Sequence, residues 1–148
     1  MRHVDIWIGI ERVVAALWVG GIWGVGYLAV PVLFHSLQDH VVAGELAGQM
    51  FHLINGLGLI CGAILILSAA MRGGLFQRRI GVILLMMVAA ALVFFVLQPQ
   101  MAAIKTQISG TTTPEFGRLH ATSSIIYLIA SLLGVWLVAV DSIRHGRH

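Results

Sequence analysis

The chain has 148 residues, of which 59% are hydrophobic and 10% charged, with a formal net charge of +3. So few charges cannot cover the surface of a water-soluble domain of this size. The basic excess is explained by where the arginines fall around apolar blocks, so it does not point to nucleic acid.

Those blocks cover residues 13–34, 50–71, 80–97 and 119–140, and none contains Lys, Arg, Asp or Glu. A helix needs about 20 apolar residues to cross a bilayer. The fold class that follows is all-α: an integral membrane protein built as an antiparallel bundle of four transmembrane helices. The expected helices are about 5–35, 43–71, 80–104 and 115–141, within a single domain over 1–148. The first block is longer than the apolar core of about 7–15 residues in a signal peptide and reads as a retained helix.

In chain order, the first helix carries Trp7 and Trp18 as candidate interfacial or lipid-facing aromatics. Glu11 and Arg12 fall at its boundary, where charges snorkel. Gly20 and Gly24 form a small-xxx-small pair that permits close packing, including a homo-oligomer. Pro31 is expected to loosen the last turn. A short loop over 36–42 leads to the second helix, where Glu45, Gln49, His52 and Asn55 share a face. Cys61 reads as a small core residue, and Arg72-Gly73-Gly74 ends the helix. The third helix runs into Gln98-Pro99-Gln100 and toward Lys105. Thr113-Pro114-Glu115 has the form of a helix start, with proline early and an acid in the first turn. On the fourth helix His120, Ser124, Tyr127 and Ser131 are spaced four, three and four, which places them on one face.

Arg2, Arg12, Arg72, Arg78, Arg79, Arg144 and Arg147 lie at one end of such a bundle, and Lys105 and Arg118 at the other. The positive-inside rule then places both termini in the cytoplasm, with a bacterial inner membrane as the expected location and the lipid bilayer as the partner. In that orientation His35, His40, His52 and His120 belong to the outer half. Imidazoles bind copper, zinc and haem iron, and they relay protons. The same polar side chains can instead hydrogen-bond helices together with no ligand.

The expected site is therefore an outward-facing polar pocket for a soft metal ion such as copper, or for haem. Candidate metal ligands are His120, His52, His35, Glu45 and Gln49, with His120, His52 and Tyr127 as cofactor contacts and Gln98 beside them. No HxxxH or CxxC pair, Ser-His-Asp set or phosphate-binding loop is present, so no catalytic residue is assigned. Two alternatives stand beside this reading. One is a haem-linked membrane oxidoreductase. The other is a structural or accessory membrane subunit whose stripes only bond helices.

The string Leu17-Trp18-Val19-Gly20-Gly21-Ile22-Trp23-Gly24, followed by Val30-Pro31-Val32-Leu33-Phe34, resembles the first-helix signature of the transmembrane protein 205-like family. The likeness continues in Ala43 to Phe51, in Gln98-Pro99 and in Phe116-Gly117-Arg118-Leu119-His120-Ala121-Thr122-Ser123-Ser124. Bacterial members form a domain of unknown function. The resemblance implies a four-helix membrane protein and matches Gly21, Trp23, Gly24, Phe34, Phe51, Pro99, His120 and Ser123. Some members carry Asn seven residues after the matched histidine, where this chain has Tyr127. The family implies no settled reaction. Short Trp/Gly-rich strings are also similar to the bacterial membrane-bound protoporphyrinogen oxidases, which are linked to haem, and to the copper-resistance D family.

Overall fold

The computed structural model describes residues 2–72, 78–107 and 113–145, with side chains described over 7–72, 78–105 and 113–139. Four helices long and apolar enough to cross a membrane run over Trp7–Ser36, His40–Met71, Arg78–Lys105 and Pro114–Ala139. No strand occurs among the described residues. In hydrocarbon every backbone N–H and C=O must be satisfied internally, and helices achieve this within each segment. The helices alternate in direction, each packs on its neighbour in sequence, and the first closes the ring against the fourth. The protein is an all-α integral membrane protein.

Local chemistry sets the boundaries. The second helix starts at His40, three residues earlier than the apolar pattern suggests. Its N-cap, Asp39, accepts hydrogen bonds from the amides of Val41 (2.8 Å) and Val42 (3.3 Å). The first loop is correspondingly shorter than expected. The fourth helix starts where its sequence signal lies. The Thr113 hydroxyl accepts from the Phe116 amide at 3.2 Å, and Pro114 is the first helical residue. The Gly73-Gly74 pair and the side chains of Arg2, Arg144 and Arg147 lie outside the described residues.

Both internal prolines follow a stretch of π-helix. Gly24–Ala29 precedes Pro31, and Val93–Leu97 precedes Pro99. A proline ring collides with the carbonyl four residues back and offers no N–H to it. Those carbonyls belong to Tyr27 and Phe95, inside the two widened turns. The wider turn moves the carbonyl away from the ring, so the helix passes each proline without ending.

The core contradicts one expectation. Trp18 is 1% exposed and sits at the centre of a cluster with Ile22, Ile54, Leu65, Ile83 and Leu137. It does not face lipid, whereas Trp7, 42% exposed, does lie on the outside. The reason is a pair of glycines on the second helix. A Cβ at Gly58 would strike the Trp18 indole nitrogen, and one at Gly62 would come within 3.3 Å of the far edge of the ring. Gly58 and Gly62 are thus the small-xxx-small pair that this fold uses for close approach. By contrast, nothing lies within 4 Å of where a Cβ would stand at Gly20 or Gly24. A smaller cluster of Val93, Leu97 and Met101 packs against Phe116, Leu119 and Ile126 near the other end.

The outward surface is apolar too. Leu28, Leu53, Leu67 and Phe95 are among its large exposed residues. Such a surface is unsuited to water and matches the acyl chains of a bilayer.

Candidate functional site

A buried charged constellation lies at the arginine end, built around Glu11, a residue expected to snorkel. Glu11, 3% exposed, is drawn inward from the first helix. Its Oε1 accepts from the Ser68 hydroxyl and from Arg72 Nη2, and its Oε2 accepts from Arg79 Nη1 at 3.1 Å. Arg72 Nε also reaches the Ser68 carbonyl at 3.4 Å. Ser68 and Arg72, which caps the second helix, are one turn apart, and Arg79 is in the first turn of the third, so one carboxylate joins three helices. A carboxylate removed from water is tolerated only with such partners. Glu11 therefore departs from the boundary role expected of it because cations from two other helices hold it inside. Arg12, its neighbour, remains exposed as expected.

Midway along the bundle, the stripe on the fourth helix is engaged within the protein. The Tyr127 hydroxyl donates to the Ile22 carbonyl at 2.5 Å. The ordinary helical partner of that carbonyl is Gly26, whose backbone lies against the same tyrosine ring and hydroxyl. Tyr127 is inserted into the helical ladder where the π turn opens. Ser131 is fully buried and donates to the Leu128 carbonyl at 2.8 Å, so it accepts from the Tyr27 hydroxyl at 2.9 Å. Higher on the same stripe, Ser124 donates to the His120 carbonyl at 2.9 Å and is exposed. The line thus passes from open at His120 to closed at Ser131. Asn55, 8% exposed, donates to the Phe51 carbonyl at 2.7 Å. It lines, with Trp18, Met86, Val93 and Tyr127, a cavity of about 10 Å³, which is room for a single water molecule.

Tyr127→Phe removes the donor from the Ile22 carbonyl and leaves the ring in place. The expected loss is about 1 kcal/mol of unfolding free energy, the scale of an interhelical hydrogen bond in a membrane. Denaturant-induced unfolding in mixed micelles measures it, and a variant as stable as the parent contradicts the insertion.

The imidazoles singled out by the sequence lie at the Lys105 end and are exposed. The His52 ring stacks on Phe94 of the third helix, with centroids 4.1 Å apart and planes at 20°. The His120 ring stacks on Phe116 one turn earlier, at 6.2 Å and 11°. His35, Glu45 and Gln49 are exposed on the first and second helices. Among the described residues, no three His, Cys, Asp or Glu side chains are grouped so as to hold a metal ion. Lys105 is the tie at this end. Its ammonium donates to the Gly44 carbonyl at 3.1 Å and lies 5.5 Å from the centre of the Phe116 ring.

Sequence reasoning missed Ser68, Arg79 and Tyr27 as partners. The signal available was that Glu11 is the one acid between Trp7 and Ser36, in a segment where an acid needs a cation.

No curated protein and no solved structure matches the chain. A family model described as a domain of unknown function (DUF4149) matches residues 13–109, about two thirds of the length and from just past Glu11 through the third helix. The chain belongs to that family.

Proposed function

We propose that the protein is a structural or accessory component of a bacterial inner membrane, with its arginine end in the cytoplasm and its polar side chains serving to fasten its own helices. One observation carries this reading. Along the stripe of the fourth helix, each hydroxyl from Ser124 to Ser131 has a partner within the protein, and two of these bonds tie the fourth helix to the first. The family match and the likeness to transmembrane protein 205-like proteins support a membrane role and name no reaction. The open Gly20 and Gly24 support a second copy as a neighbour in the bilayer.

The second reading is a soft-metal or haem carrier, or a haem-linked oxidoreductase, with His120 and His52 as ligands and His35, Glu45, Gln49 and Tyr127 around them. It is favoured by two imidazoles that are exposed at one end of the bundle and stacked on aromatic rings. An absorption spectrum and metal analysis of the purified protein separate the two readings. The structural reading expects no Soret band and no stoichiometric copper, in the parent or in His120→Ala. A haem or copper signal in the parent that His120→Ala removes overturns it in favour of the second.

A further inference from the structure

The two π turns stand at one level of the bundle. Gly24–Ala29 on the first helix begins just past Ile22, and Val93–Leu97 on the third begins at Val93. Ile22 and Val93 both line the small cavity beside Asn55 and Tyr127. The two helices differ in what lies beyond that level. On the third, Leu97 and Met101 are buried against Phe116 and Leu119 of the fourth, so the segment past the π turn is packed in place. On the first, Ala15, Trp18, Val19 and Ile22 are buried, whereas no residue from Gly24 to Ser36 is. Among the described residues, Tyr27 is the last on this helix with a hydrogen bond or ring contact to the fourth. Farther out the segment rests on the second helix, where Phe34 lies against Gly44 and its ring centre is 6.2 Å from that of His40.

We propose that Gly24–Ser36 is a hinged flap that swings on its π turn away from the fourth helix, while the arginine half of the bundle and the packed outer part of the third helix stay in place. Pro31 supplies no N–H, so the helical ladder is interrupted within the segment, and helices bend where the ladder is interrupted. The swing moves apolar surface from protein to lipid, which carries no hydrophobic penalty, so only the contacts of a half-buried segment oppose it. Tyr127, bonded to the Ile22 carbonyl, marks the fixed side of the hinge. The motion opens the side of the bundle between the first and fourth helices. The polar stripe of the fourth helix faces that opening, with Ser124 and His120 exposed above the bonds of Tyr127 and Ser131. This device goes beyond the fastening role proposed above and is the same for either orientation in the membrane.

The test is distance measurement between spin labels by pulsed electron resonance, on the full-length protein in lipid nanodiscs. Cys61→Ala leaves only the introduced thiols to carry labels. Ser36 with Ala121 spans the flap and the fourth helix, Ala102 with Ala121 spans the third and the fourth, and Val13 with Val135 spans the arginine half; all five positions are exposed. A bend of about 20° at the π turn moves Ser36 by roughly 5 Å. The Ser36–Ala121 distribution is therefore expected to be broader than the other two by about 5 Å, or to show a second peak longer by that amount. Phe34→Ala removes the contact with Gly44 and His40 and is expected to shift weight toward the longer distance, with the other two pairs unchanged. Three distributions of equal width, or a Ser36–Ala121 distribution that Phe34→Ala does not move, overturns the proposal. Broadening of Val13–Val135 to the same extent also overturns it, since the whole bundle would then be loosening.

Discussion

Glu11→Ala is expected to lower the unfolding free energy by about 2–4 kcal/mol, the largest effect of any single polar substitution in the bundle. The loss arises less from the missing attraction than from what remains. Arg72 and Arg79 lose the carboxylate that both of them bond, and the Ser68 hydroxyl loses its acceptor. Breaking a buried ion pair by removing one member typically costs about 3–5 kcal/mol. The expectation is set lower because Arg72 is 34% exposed and its long stem can turn the guanidinium toward the headgroups. Glu11→Gln is expected to fall between parent and alanine, since an amide oxygen still accepts from one donor. Unfolding in mixed micelles measures both, and a Glu11→Ala protein within about 0.5 kcal/mol of the parent contradicts the cluster.

The second large effect is steric. Gly58→Val places a branched side chain where the Trp18 indole lies, and both residues are buried. The ring is rigid, lies across both Gly58 and Gly62 and is enclosed by the core, so it cannot yield by rotating a flexible end. Overpacking of this kind costs about 1–3 kcal/mol, and the upper part of that range is expected here. Packing matters more in a bilayer than in water, because lipid tails are as apolar as leucine and only close contact distinguishes helix from lipid. Gly20→Val is the matched control. Nothing lies within 4 Å of a Cβ there, so the monomer is expected to keep its stability. Equal losses in the two variants contradict the assignment of Gly58 as the close-contact position.

The four spans were legible because the bilayer imposes length and apolarity, and both are read directly from sequence. The start of the fourth helix was legible for a different reason, since Thr113 and Pro114 act on their immediate neighbours. Trp18 was misread because the usual inside–outside contrast is missing. Leu17, 61% exposed, and Trp18, 1% exposed, are adjacent and both apolar, so no polarity pattern marks which one faces the protein. Glu11 was misplaced because its partners lie 57 to 68 residues away, and next to Arg12 it resembles a charge at the membrane boundary. The stripe on the fourth helix was correctly grouped by its spacing, yet spacing alone cannot reveal depth. His120 is open and Ser131 is sealed on the same line. Pro31 marked one irregular point and Pro99 did not, and the widened turns before both depend on where the Tyr27 and Phe95 carbonyls lie in space.

Glu11, Tyr127 and Ser131 share one role, in that each places a polar group so as to join helices. A double-mutant cycle on Glu11→Gln and Arg79→Gln, followed by reversible unfolding in mixed micelles, tests that most directly. The account predicts a coupling of at least about 1.5 kcal/mol between residues on the first and third helices. Losses that simply add, within about 0.5 kcal/mol, contradict it.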